Sequence, residues 1–269
     1  DAGALEILAH RFVWSVVFLA MVVVLRGSWD QIRNLEKRTI ARLLFAGSLL
    51  AANWLTYIWA VNSGHIVETS LGYFINPLLN IVLGVFILRE RLDTGQWLAV
   101  AIAASGVTYM TVRLGSLPWI ALVLAGSFAV YALLKKQSVA VGPIESLTVE
   151  VSLLSIPALV FLGALAFVGD GSFFVAGPRI TILLVLTGVA TAAPLLLFGA
   201  AAHRIQLTTI GILQYIAPSM QFLIGVFLYN EEVTTDELIG FGLVWIALAV
   251  FTAHGLLTSR RSDPQPAAV

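Results

Sequence analysis

Cysteine is absent from the sequence, which excludes disulfides, thiolate metal sites and cysteine nucleophiles. Charge is nearly as scarce, since 15 basic and 15 acidic residues make up only 11% of the 269, where a soluble domain carries about 25%. No water-soluble core accounts for that composition. A net charge of zero and the lack of any long basic block remove the electrostatic footprint of nucleic-acid binding. Chemical signatures are missing too. His65, His203 and His254 have no second metal ligand at helical spacing in an exposed arrangement, and there is no H-E-x-x-H, G-x-S-x-G or P-loop glycine pattern. No catalytic residue, metal or cofactor is therefore expected, and the chain is not expected to be an enzyme.

What is present is hydrocarbon-compatible: 59% apolar residues, a mean hydropathy of +0.95, and 22 Gly and 9 Pro of the kind membrane helices tolerate. Apolar runs long enough to cross a bilayer lie at 6–25, 39–62, 67–88, 94–112, 117–134, 144–168, 179–202, 207–228 and 236–257. The connections are too short to house a folded extramembrane domain. The expected fold class is thus all-α, a polytopic transmembrane helix bundle with the lipid bilayer as its surroundings. Polar, Pro-bearing residues 258–269 are expected to form a disordered tail. With successive loops alternating sides, twelve Lys and Arg fall on one side against Arg113 and Arg179 on the other, which predicts a cytoplasmic C-terminus.

Aligned with itself at an offset of 141, the chain repeats. Six of the sixteen positions from 75 to 90 are identical to their counterparts at 216 to 231, including Pro77 with Pro218 and Glu90 with Glu231. The two copies lie five spans apart, an odd number, so the halves are expected to be inverted in the membrane, as in many secondary transporters. The expected division is a first repeat over 1–112 and a second over 113–257. By the same offset the first repeat lacks its first helix, and the chain starts with Asp; the expectation is nine helices of a five-plus-five arrangement.

Several runs carry a family resemblance: Asn53-Trp54 with Trp59 to Asn62, Glu68 to Asn80 (ETSLGYFINPLLN), Arg89-Glu90-Arg91, Gln96 to Val100, Gly115 to Pro118, Gln214 to Pro218 and Val244 to Ala249. Together they resemble the RarD family, in the EamA-type branch of the drug/metabolite transporter superfamily, and the resemblance covers essentially the whole chain. It implies a ten-helix inverted-repeat permease of the bacterial inner membrane, named in the family for chloramphenicol sensitivity or resistance, with a central substrate path.

Transporter sites tend to lie near mid-membrane where helices are broken. Pro77 and Pro218 each remove a backbone hydrogen bond in equivalent spans, freeing the carbonyls of Tyr73 and Gln214. Tyr73, Asn76 and Asn80 share a face with Pro77, and Gln214, Pro218 and Gln221 form the matching stripe. Two polar stripes suit a wet, solute-lined path; interhelical hydrogen bonding is the other reading. Asn53 and Tyr57 could add to such a path, and Tyr131 and Ser127 are read as packing. Among charges inside spans, Arg11 either pairs with Glu6 or Glu68 near the interface or meets an anionic or zwitterionic substrate. Glu150 and Glu68 are the candidates for proton coupling. Glu90 and Glu231 look structural, fixing the turn into the following helix. The function expected is alternating-access transport of a small organic metabolite or drug-like solute; a lipid-linked substrate flippase and a non-transporting sensor or assembly protein are the alternatives.

Overall fold

The structure is a computed structural model that describes residues 2–114, 118–229 and 234–261. Every regular element among them is helical: α1 (Ala4–Arg26), α2 (Trp29–Arg33), α3 (Lys37–Asn62), α4 (Ile66–Phe86), α5 (Thr94–Leu114), α6 (Trp119–Gln137), α7 (Pro143–Val168), α8 (Ser172–Val175), α9 (Pro178–Arg204), α10 (Leu207–Gln214), α11 (Ile216–Tyr229) and α12 (Thr235–Arg261). Hydrocarbon offers no partner to a free N–H or C=O, so a spanning segment must satisfy its backbone internally. Among the described residues, α1, α3, α4, α6, α7, α9, the α10–α11 stretch and α12 are long and apolar enough to cross a membrane. The expected ninth span, α5, has 21 residues but falls outside these eight. Helix α12 runs on to Arg261, over residues 258–261 that were expected in the tail. The rest of that tail, Glu231 and the Gly115 to Leu117 part of the family motif lie outside the described residues.

The internal repeat reappears in the helix boundaries. Helices α3, α4 and α5 start at Lys37, Ile66 and Thr94, each 141 residues before the starts of α9, α10 and α12 at Pro178, Leu207 and Thr235. The two copies differ at their prolines. Helix α4 continues through Pro77, whereas its counterpart is divided at Tyr215, one turn before Pro218. Proline has no N–H to give to the Gln214 carbonyl, and the Tyr215 amide instead closes a tighter turn on the Ile212 carbonyl at 3.2 Å.

The chain forms two compact units, one from residues 1–62 and 130–205, the other from 63–129 and 206–269. Each draws on both sequence halves. In the first, α1 packs on α7 and α9, and α3 on α7; in the second, α5 packs on α12, and α4 on α10. The repeat-related helices α4 and α10, and α5 and α12, are therefore neighbours in the second unit, as α1 and α7 are in the first, where α3 packs on α7. Leu8, Phe12, Leu154 and Ala158 build a core cluster of the first unit, and Leu71, Phe74, Val107, Tyr215, Phe241 and Val244 that of the second.

Close helix approach in the first unit depends on a pair of glycines that the offset also relates, Gly47 and Gly188. A Cβ at Gly47 would stand 2.7 Å from the Glu150 carbonyl oxygen, and one at Gly188 would collide with the Trp14 backbone. Ser15 Oγ donates to the Gly188 carbonyl at this seam, at 3.1 Å. Backbone cannot swing aside as a side chain does, so Gly47→Ala should destabilise by about 1–3 kcal/mol. Gly163→Ala, inside α7 where a Cβ meets nothing within 4 Å, is the control in the same thermal unfolding series and should stabilise by up to about 1 kcal/mol, since alanine is the better helix former.

Candidate functional site

In the second unit the two polar stripes converge. Asn76 is buried on α4 and donates through Nδ2 to the Ala125 carbonyl of α6 at 3.1 Å. One turn on, the fully buried Asn80 donates to Asn76 Oδ1 at 3.2 Å and to Gln214 Oε1 on α10. The helices come this close because α10 presents Gly211, where a Cβ would lie 2.6 Å from the Pro77 carbonyl oxygen. Asn80 Oδ1 is buried with no donor among the described residues. A carbonyl oxygen left so is costly and can accept from a solute or water that enters. Directly beside this network the helix is interrupted, and the buried Tyr215 hydroxyl donates to the Phe74 carbonyl at 3.2 Å.

The remaining members of the stripes lie elsewhere. Tyr73 is 41% exposed. Pro218 and Gln221 line a separate cleft of about 310 Å³ with Ser70, Phe74, Phe222 and Glu237. Glu68 faces His65, its carboxylate 3.3 Å from Nδ1, and its second oxygen is buried without a hydrogen bond.

The first unit holds a sealed ionic network. Glu150 on α7 and Lys135 on α6 are 0% and 1% exposed, their charged atoms 2.9 Å apart. Ser146 Oγ donates to Glu150 at 2.7 Å and receives Lys135 Nζ at 2.6 Å; the Tyr131 hydroxyl donates to the other Glu150 oxygen at 3.2 Å. Tyr131 and Lys135 stand one turn apart on α6, as Ser146 and Glu150 do on α7, and the turn that joins the helices sets the two pairs face to face. Helix α9 adds Phe198, stacked on Tyr131 at 6.2 Å, and Gly199, which leaves room for the Lys135 stem. Glu150 therefore sits as a carboxylate with three donors rather than as a lone acid.

Arg11 donates through Nε to Thr191 Oγ1 at 2.9 Å and places its guanidinium 4.3 Å from the Trp54 ring centre, a cation–π arrangement. Glu6, one of its expected partners, accepts from the Ser172 amide at the start of α8 at 2.6 Å. Asn53 is half-buried on α3, and Tyr57, one turn away, is 36% exposed.

Comparison with known proteins adds the family. The EamA-like transporter family matches residues 1–112. Protein RarD of Streptomyces exfoliatus is 44% identical over 263 residues, 97% of this chain and 83% of that one. The chain belongs to the RarD family of EamA-like transporters. Protein RarD of Escherichia coli (strain K12) is similar at 40% identity over 260 residues, 96% of this chain and 88% of that one. A solved crystal structure shares the fold, with a TM-score of 0.68 at 18% identity over 98% of this chain and 91% of that one.

For a RarD-family protein the sequence alone left two features unseen. Lys135 reads as one more loop cation beside Lys136, yet it is buried in the ionic network; its spacing from Tyr131, matched by Ser146 and Glu150 across a short turn, is the signal that marks it. Glu90 does not serve the helix that follows it. Its two oxygens accept from the Leu207 and Thr208 amides at 2.7 and 2.9 Å, capping α10.

Proposed function

We propose that this RarD-family protein is a secondary transporter of the bacterial inner membrane, C-terminus cytoplasmic, that moves a small organic solute by alternating exposure of a polar path. The observation that carries the reading is the amide cluster of Asn76, Asn80 and Gln214 on repeat-related helices beside the break at Tyr215. Glue alone does not call for a buried carbonyl oxygen without a donor, and Asn80 Oδ1 is such an atom. Tyr73 and Pro77 extend the polar surface on α4, and Pro218 and Gln221 offer a second one in the cleft on α11; in the first unit Asn53, Tyr57 and Arg11 are the candidates for solute contact. No ATP-binding pattern is found in the sequence, so solute or ion gradients supply the energy. In this reading the Lys135–Glu150 pair is the proton-coupling element, and Glu68 with His65 is the other candidate.

The test is an uptake and export screen in sealed vesicles carrying the full-length protein, with metabolites and antibiotics including chloramphenicol, against Asn76→Leu/Gln214→Leu. The expected result is that one solute class moves and that the variant, still stably inserted, moves it at least about tenfold more slowly, as loss of polar contacts to a solute implies. Unchanged transport by the variant removes the amide cluster from the path. No movement of any solute, under pH gradients of either sign, would move the flippase and sensor readings ahead.

A further inference from the structure

We propose that the cleft between α4, α11 and α12 binds a lipophilic organic monocation, an ammonium carried on an aromatic or aliphatic body. The inference deepens the transport reading above by naming the solute class for its second polar surface. At about 310 Å³, the cleft has the size at which small-molecule sites begin. Glu237 is the one ionisable residue among the described residues that line it, so the site carries a negative charge. The neighbouring charges do not cancel it. Asp236 is taken by the Arg113 guanidinium at 2.8 Å and by the Tyr109 hydroxyl at 2.6 Å. The Thr234 amide and hydroxyl each donate to Glu237 Oε2 at 2.9 Å, which fixes the carboxylate at the start of α12 and leaves its other oxygen uncommitted among the described residues.

The walls suit the body of such a cation. Ser70 and Phe74 on α4, and Glu237 and Phe241 on α12, stand one turn apart, with the polar member nearer the helix start in both. Phe241 meets Phe74 edge-on at 4.7 Å and Phe222 of α11 at 4.0 Å between ring centres. Trp245 packs on Phe222 and Phe241 at 5.8 and 6.0 Å, and its indole N–H donates to Ser219 Oγ at 3.0 Å, so the aromatic wall is held in place. A carboxylate and aromatic faces in one cleft attract a cation by charge and by the ring quadrupole. A neutral solute gains only the apolar contact, and an anion is repelled. The ammonium of a lipid headgroup fits less well, since among the described residues the lining holds no cation to meet its phosphate.

The experiment is isothermal titration calorimetry of the full-length protein in dodecyl maltoside, with benzyltrimethylammonium and its neutral near-isostere benzyldimethylcarbinol as probes. Wild type should bind the ammonium at least about tenfold more tightly than the carbinol, as one unit charge at contact distance near a protein surface supplies. Glu237→Gln, which keeps an acceptor for Thr234, should lose that preference and bind both probes alike. Phe222→Leu, which keeps an apolar side chain and removes the ring, should weaken the ammonium about fivefold; thermal unfolding checks that both variants are folded. Phosphocholine, with the same ammonium beside a phosphate, should not displace benzyltrimethylammonium. No saturable binding of the ammonium by wild type, a carbinol that binds as tightly, or an ammonium affinity unchanged in Glu237→Gln overturns the proposal, and displacement by phosphocholine overturns the solute class in favour of a lipid headgroup. Binding is read without transport. Any of these results therefore strikes the cleft alone, whereas a protein that binds the ammonium and moves no solute strikes the transport reading and leaves the cleft assigned.

Discussion

Lys135→Met is expected to destabilise the protein by about 3–5 kcal/mol, because it leaves the Glu150 carboxylate buried without its counter-charge. The geometry determines the size of the effect. Glu150 keeps the Ser146 and Tyr131 donors, at 2.7 and 3.2 Å, but two neutral hydroxyls do not replace an ammonium at 2.9 Å. Glu150→Met should cost a similar amount by stranding Lys135. The double replacement Lys135→Met/Glu150→Met removes both charges and fills the space with apolar atoms; buried pairs so replaced are often neutral or more stable by about 1–4 kcal/mol. Thermal unfolding in detergent measures all three. The double variant also separates the roles of the pair: a stable protein that has lost gradient-driven transport assigns it to coupling, whereas one that transports normally makes it structural.

The helices and the repeat were legible because both are written locally. Hydropathy places a span wherever about 20 apolar residues run together, and the 141-residue offset that relates Pro77 to Pro218 also relates the starts of α3, α4 and α5 to those of α9, α10 and α12. Pro77 and Pro218 mark where each copy can break, since each removes one backbone hydrogen bond. That Pro77 leaves α4 continuous does not follow, since both prolines remove the same bond. The sites were legible only in part. Asn76, Asn80 and Gln214 were expected on polar stripes of two repeat-related helices, and they hydrogen-bond to one another, but Gln221, further along the stripe, is exposed in a cleft. Helical spacing gives the face of a residue and not the depth at which a neighbour covers it. Lys135 was hidden for a different reason. A lysine at the end of an apolar run counts toward the charge bias that orients the helix, and nothing in its own segment tells that a carboxylate fifteen residues later stands opposite.

Glu90→Ala is expected to cost about 3 kcal/mol, by uncapping a helix that Glu90 reaches from 117 residues away. The first amides of a helix have no intrahelical acceptor, and those of Leu207 and Thr208 meet the two Glu90 oxygens at 2.7 and 2.9 Å. Each is a charge-assisted bond worth about 1.5–3 kcal/mol, and the carboxylate also faces the positive end of the helix dipole. The chain spends strain to place it. Arg89 takes a left-handed φ of 56°, outside the usual range for a residue with a Cβ, and the Glu90 amide turns back to the Gly84 carbonyl at 3.0 Å. Gly84 is itself required there, since a Cβ would stand 2.7 Å from Glu90 Oε2 and 2.8 Å from Thr208 Cγ2. Glu90→Gln, which keeps one acceptor and no charge, should recover about half of the loss. α10 is only eight residues long, so its position against α4 depends on this cap more than that of a longer helix would. Loss of the cap should therefore also raise amide hydrogen exchange over 207–214 relative to 216–229. Equal exchange in the two segments, with stability unchanged, would show that packing on α4 alone holds α10 in place.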